Sequence, residues 1–257
     1  MDKGFETEKS RRLFPHIMLC LETHMRRSVL YDRQLAKFIF GFTLFNKEHH
    51  TIRAAALHGN MEVLKFLAED ETEMRAQQDE ALRLACSAGK LCAVKFFLES
   101  GADALSHNCA ALRWASSAGR LEVVQHLVEN EACSQTGKDW ALRLACERGQ
   151  VSVALFLIEK GADVGSFNNE AICQASKNGH FVIVWYLVEN GADVRARGDE
   201  AIRLASKNGY LPVVRYLAEN GADIHADGDY CIQAAFDNGH FEVAEYLCAF
   251  EESARLN

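Results

Sequence analysis

From about residue 50 onward the apolar positions fall into pairs of short runs, spaced by three and four and separated by a glycine. Two of these pairs are nearly copies: EAICQASKNGHFVIVWYLVENGAD at 170–193 and EAIRLASKNGYLPVVRYLAENGAD at 200–223. The central glycine recurs at 59, 89, 119, 149, 179, 209 and 239, a period of 30 without a slip. Seven before it stands Ile52, Leu82, Leu112, Leu142, Ile172, Ile202 or Ile232, and four before it always alanine, from Ala55 to Ala235. Five after it lie aliphatics such as Val94, Val124, Val184 and Val214; eight after it come Leu67, Phe97, Leu127, Leu157, Leu187, Leu217 and Leu247. Such spacings on both sides of the glycine predict two short amphipathic helices per unit. The unbroken alanine column predicts helix backbones in close approach. A constant period in this range points to a solenoid.

The boundaries fit that reading. Asp79, Asp139, Asp199 and Asp229 precede the first helix as expected N-caps. The central glycine is expected to end that helix in a left-handed conformation. Pro212 falls in the first turn of a second helix, where its missing amide costs little. The glycine of the GAD at 101–103, 161–163, 191–193 and 221–223 ends the second helix. Units one and three carry Glu71 and Glu131 in that slot, so those two turns are expected to be less regular.

The A-x-x-x-G centre, the runs GHFVIVWYL at 179–187 and GYLPVVRYL at 209–217, and the closing GAD resemble the ankyrin repeat family over about residues 50–250. The resemblance implies an all-α solenoid of seven helix pairs at 49–250, with a C-terminal tail at 251–257. A typical ankyrin unit is longer and opens its first helix with TPLH, where this chain has EALR at 80–83 and EAIR at 200–203. The missing residues shorten the projecting hairpin, so binding is expected to rest more on helices than on fingers. In flavour, such short units are similar to repeats of giant viruses, amoebae and their bacterial parasites.

Residues 1–48 match no unit. Leu13, Phe14, Ile17, Leu21, Met25 and Val29 follow helical spacing, and Phe38, Phe40, Phe42 and Phe45 mark a second apolar stretch. A helical cap over the first unit is expected, since an open solenoid end exposes its core. The alternative is an adaptor, in which this segment recruits a second machine such as a ubiquitin ligase.

Charge changes the picture in one respect. The net charge is −8, but residues 1–50 carry nine Lys/Arg against six Asp/Glu, whereas 51–257 carry nineteen against thirty. An acidic repeat body is a poor phosphate binder, so no nucleic-acid partner is expected. The longest apolar run, FIFGFTLF at 38–45, is too short to span a bilayer, and no membrane partner is expected. Nine cysteines without a CxxC pair indicate a reducing compartment, and we expect a cytoplasmic protein (host cytosol for a viral or bacterial effector), monomeric in isolation.

Catalytic chemistry finds no carrier. The ten histidines are dispersed, and no HExxH, paired Cys/His spacing or phosphate loop occurs. No catalytic residue, metal or cofactor is expected; His49, His50 and His58 read as a solvated helix start. The most regular cations are Arg53, Arg83, Arg113, Arg143 and Arg203, six before the glycine. They either grip an acidic partner or pair locally, with Glu80 and Glu200 three residues ahead of Arg83 and Arg203. Phe66, Phe96, Phe156, Tyr186, Tyr216 and Tyr246 repeat beside the invariant leucine column and read as inter-repeat packing.

Three tryptophans do not repeat. Trp114 replaces a leucine or alanine, Trp140 stands where Glu80, Glu170 and Glu200 stand, and Trp185 occupies the column of Lys65, Lys95, Gln125 and Arg215. Large aromatics at polar positions are common interface anchors. The family resemblance implies that residues just before the central glycine and in the loops read the partner. The protein-binding candidates are therefore Trp114, Trp140, Arg143, Arg148, Phe167, Lys177, Asn178, Arg197, Lys207 and Asn208, on units three to six. The expected function is an intracellular scaffold that binds a protein through its helical concave face and inter-repeat loops.

Overall fold

A computed structural model describes residues 51–68, 71–130 and 132–255. The proposed cap or recruitment segment at 1–48 lies outside them. Among the described residues every element is a helix. The first helices of the seven units are α1 Thr51–His58, α3 Glu71–Ala88, α5 Ser106–Ser117, α7 Gln135–Glu147, α9 Ser166–Lys177, α11 Ala196–Lys207 and α13 Ala226–Asp237. The second helices are α2 Met61–Leu67, α4 Leu91–Glu99, α6 Leu121–Glu129, α8 Val151–Glu159, α10 Phe181–Glu189, α12 Leu211–Glu219 and α14 Phe241–Arg255. The last of these continues past the closing-loop position to Arg255.

The helices form two rows with one core between them. Ile52, Leu82, Leu112, Leu142, Ile172 and Ile202 are fully buried from the first row, as are Val124, Leu127, Val184, Leu187, Val214 and Leu217 from the second. First helices approach one another more closely along the stack than second helices do. Two alanine columns allow this: Ala81, Ala141 and Ala201 beside Ala85, Ala145 and Ala205 are buried and present no bulk between backbones. A stack whose one row packs tighter bends toward that row. The exposed side of the first helices is therefore the inside of the curve.

The central glycines hold the stack together in two ways. Each has φ between +70° and +79°, and each but the last is overlain by the residue 31 positions on: Lys90, Arg120, Gln150, His180, Tyr210 or His240. Arg120 Nε donates to the Ser87 carbonyl at 2.9 Å, and His180 Nε2 lies 3.3 Å from the Glu147 carbonyl. Arg120 and His180 thus close orphan carbonyls at the end of the preceding first helix.

The closing loops correct the capping expectation. Asp79, Asp139 and Asp199 do not cap their own helices. Their side chains accept the backbone N–H of Asp103, Asp163 and Asp223 at 3.0, 2.9 and 2.7 Å, and Asn169 accepts that of Asp193 at 2.8 Å. Asp229 instead meets His225 at 2.5 Å. Each loop aspartate in turn accepts an N–H two residues on, as Asp193 does from Arg195 at 2.9 Å. The first-helix acid and the GAD acid lock one loop between them.

Four units also open their first helix with a left-handed turn. Residues 107–109, 167–169, 197–199 and 227–229 have φ from +51° to +68°. Asn, Asp and Gly fill most of these places, the types that bear this conformation best. The bond to the loop does not depend on this turn, because Asp79 and Asp139 make it without the turn as Asn169 and Asp199 make it with one. Units two and four, which follow the Glu71 and Glu131 substitutions, lack the turn: α3 runs unbroken from Glu71, and α7 starts on Ser134, whose hydroxyl accepts from Gly137 N at 3.1 Å.

This ladder carries a prediction. Asp199 is 4% exposed, and its replacement by alanine strands the Asp223 amide, costing about 1–3 kcal/mol. D199N should be nearly neutral, because Asn169 makes the same bond in the preceding unit. Urea melts of both variants decide it; an equal loss in D199N would mean that charge, not acceptance, is what matters.

Candidate functional site: the inner face of units three to five

Trp140 is the centre of the site. It sits half-buried near the start of α7, with the Phe167 ring centre 4.4 Å away at 43° to its plane. The Arg143 guanidinium lies 4.8 Å from the ring centre of Trp140, and that of Arg113 lies 6.0 Å from it. Cations at such distances are attracted by the indole quadrupole. Three units thus contribute to one cluster: Arg113 from unit three, Trp140 and Arg143 from unit four, Phe167 from unit five. Phe167 reaches it from the left-handed turn and remains 39% exposed.

Unit four is able to build this because it lacks the turn. Where the turn is present, the arginine column serves it: Arg113 Nη2 donates to the His107 carbonyl at 3.0 Å, and Arg203 Nε to the Gly198 carbonyl at 3.0 Å. Arg143 instead covers Trp140 and lies 3.5 Å from Glu147. The pairing expected within helices also changes partners. Glu80 binds Arg53 of the preceding unit at 2.5 Å, Glu200 binds Arg197 at 2.8 Å, and Arg203 binds Asp227 of the following unit at 3.1 Å.

The other candidates are placed as follows. Trp114, on the same helix as Arg113, is 56% exposed and stands clear on the inner face. Arg148 is exposed at the end of α7, 4.0 Å from Glu147, and Lys177 and Lys207 are exposed last residues of α9 and α11. Asn178 and Asn208 donate their amides to the Gln174 and Leu204 carbonyls at 2.9 Å, so both close helix ends. Asn208 also reaches Lys177 O at 3.2 Å in the unit before. Arg197 bridges Glu170 and Glu200. Burial opposes ionisation of Glu170, but bonds from Gln174 and Arg197 outweigh it and hold its carboxyl below the usual range.

The structure brings together Trp140, Arg143 and Phe167, and leaves Lys207 and Arg148 apart from them. It adds Arg113, which sequence reasoning assigned to a column without seeing its neighbour. Chemically, the surface offers flat aromatic area edged by cations, suited to apolar and carboxylate-bearing groups. Among the described residues no group of three or more His, Cys, Asp or Glu could hold a metal ion, and no helix is long and apolar enough to cross a membrane.

The described cysteines are all free. Burial pushes the Cys86 thiol up to about 12 and that of Cys231 to about 11, with a nearby Ser206 hydroxyl acting against the latter. These thiols fill the core as small apolar side chains. Of the described thiols, the exposed Cys92 and Cys248 are expected to react first with maleimide, the half-exposed Cys133 more slowly, and the buried ones only on unfolding. Mass spectrometry of native, labelled protein checks this, and early labelling of Cys86 or Cys146 would contradict it.

Comparison with known proteins agrees with this architecture. The family described as ankyrin repeats (3 copies) matches residues 51–139, 82–168 and 142–228, which together span more than half of the chain. The chain belongs to the ankyrin-repeat family. No curated protein matches it. Ankyrin repeats are generally protein–protein interaction modules and are typically non-enzymatic. In this ankyrin-repeat chain Trp114 and Phe167 are unit-specific exposed aromatics of the inner face.

Proposed function

We propose that the protein is an intracellular scaffold that binds a protein partner on the inner face and loops of units three to six, with no catalysis of its own. The observation that carries this reading is the Trp140 cluster beside the exposed Trp114. An aromatic pair held rigid by two arginines loses little entropy on binding, which is how interface anchors gain affinity. Arg113, Arg143, Arg148, Lys177 and Lys207 supply positive charge on that face, so the partner segment presents carboxylates next to an apolar side chain. The free thiols support a reducing compartment.

The test is affinity purification of the full chain from its native cell, beside a W114A/W140A double variant of unchanged thermal stability. Loss of the main partner supports the inner-face reading. A partner retained at full yield overturns it.

A further inference from the structure

The opposite side of the molecule carries a feature that the inner-face reading does not use. Second helices of a repeat stack normally turn polar residues outward, as Glu62, Lys65, Glu122 and Gln125 do here. On α10 those two outward positions are Val182 and Trp185, 49% and 44% exposed, beside Phe181 at 40%. The neighbours continue the change: Leu155 replaces the lysine column on α8, and Pro212 replaces the glutamate column on α12. Phe181 packs edge-on against Tyr216 of α12, ring centres 5.9 Å apart, which ties two adjacent helices into one surface.

Within this area charge is confined to an edge. The nine residues of α8 and of α10 each contain a single charged side chain, Glu159 and Glu189, and α12 adds Arg215 and Glu219. Arg215 is turned onto Tyr246, 5.0 Å from its ring centre. The three glutamates occupy the last position of their helices, the end at which the helix dipole disfavours an anion. Among the described residues no cation lies within ion-pair distance of Glu159 or Glu219, and Glu189 accepts only the Tyr216 hydroxyl at 3.2 Å. Neighbouring second helices pack about 10 Å apart, so these carboxylates form a row at about one Debye length.

We propose that the outer face of units four to six, centred on Trp185, is a second docking surface, and that its occupant is an amphipathic helix of a partner protein flanked by lysine or arginine. Apolar residues of that helix cover Phe181, Val182 and Trp185, while its basic flank meets the row of Glu159, Glu189 and Glu219. The charge of the row selects this occupant over an acidic one. The surface is separate from the inner face, so one chain can hold two partners at once.

The test uses the full chain and two synthetic amphipathic helices with the same leucine stripe, one flanked by lysines and one by glutamates. Fluorescence anisotropy is expected to show the lysine peptide binding about tenfold or more tightly than the glutamate peptide. W185E should abolish that binding, E159K/E219K should invert the preference, and W114A/W140A should leave it unchanged. All these substitutions are on exposed or half-buried side chains, and circular dichroism confirms the fold. Equal binding of both peptides, binding of neither, or binding that survives W185E overturns the proposal. So does sedimentation as a dimer that W185E dissociates, which would make a second copy the occupant.

Discussion

Replacing Gly149 by alanine should destabilise the protein far more than replacing Gly161, twelve residues away in the same unit. Both glycines are left-handed, at φ +70° and +79°. Both substitutions therefore carry the conformational cost of a β-carbon in that region, about 1–2 kcal/mol. At 161 a β-carbon meets nothing within 4 Å. At 149 it comes 2.6 Å from Cε1 of His180 and 2.8 Å from Nδ1, so the ring must leave. Its contact with the Glu147 carbonyl goes with it, and overpacking adds about 1–3 kcal/mol. The expected totals are about 2–5 kcal/mol for G149A against about 1–2 for G161A. Stability in a repeat stack is a sum over units and their interfaces, so the damage should be local. Hydrogen exchange should quicken first at the junction of units four and five. Equal melting temperatures for the two variants would show that φ alone, without stacking, sets the requirement for glycine.

That contrast also marks how far the sequence could be read. Position within a unit was legible: the glycine column, the two alanine columns and the alternating aliphatics place the helices, because a helix buries one face at fixed spacing. What passes between units was not. Asp199 looks like an N-cap because caps are short acids before helices, yet its acceptor reaches Asp223, in a loop 24 residues on. Glu80 stands three before Arg83, but its partner is Arg53, 27 residues back. Local rules see neighbours at three and four; a solenoid sets side chains against their counterparts about one period away. The same limit hid the Trp140 cluster. Trp140 was visible as an aromatic in a glutamate column, but Arg113 and Phe167 join it only through stacking. The outer patch had a readable signal in FVIVWYLVE, a second helix with no polar residue at either outward position.

Truncating Trp140 to alanine should reduce affinity for the inner-face partner by about 2 kcal/mol, roughly 30-fold in Kd, the range of an interface anchor. Two losses are mixed in that figure and can be separated. Removing the indole deletes its own contact, and it also frees Arg143 and Phe167 from the positions in which it holds them. W140F keeps a ring for both neighbours to stack on, so it should retain most of the affinity if positioning dominates. If the indole itself enters a pocket on the partner, W140F should fall nearly as far as W140A. Fold stability should change by no more than about 1.5 kcal/mol in either variant, the worth of an aromatic pair beyond its burial. Calorimetric titration of the purified partner into wild-type, W140F and W140A protein gives all three affinities. Three equal values would remove Trp140 from the interface and leave Trp114 as the aromatic anchor of the inner face.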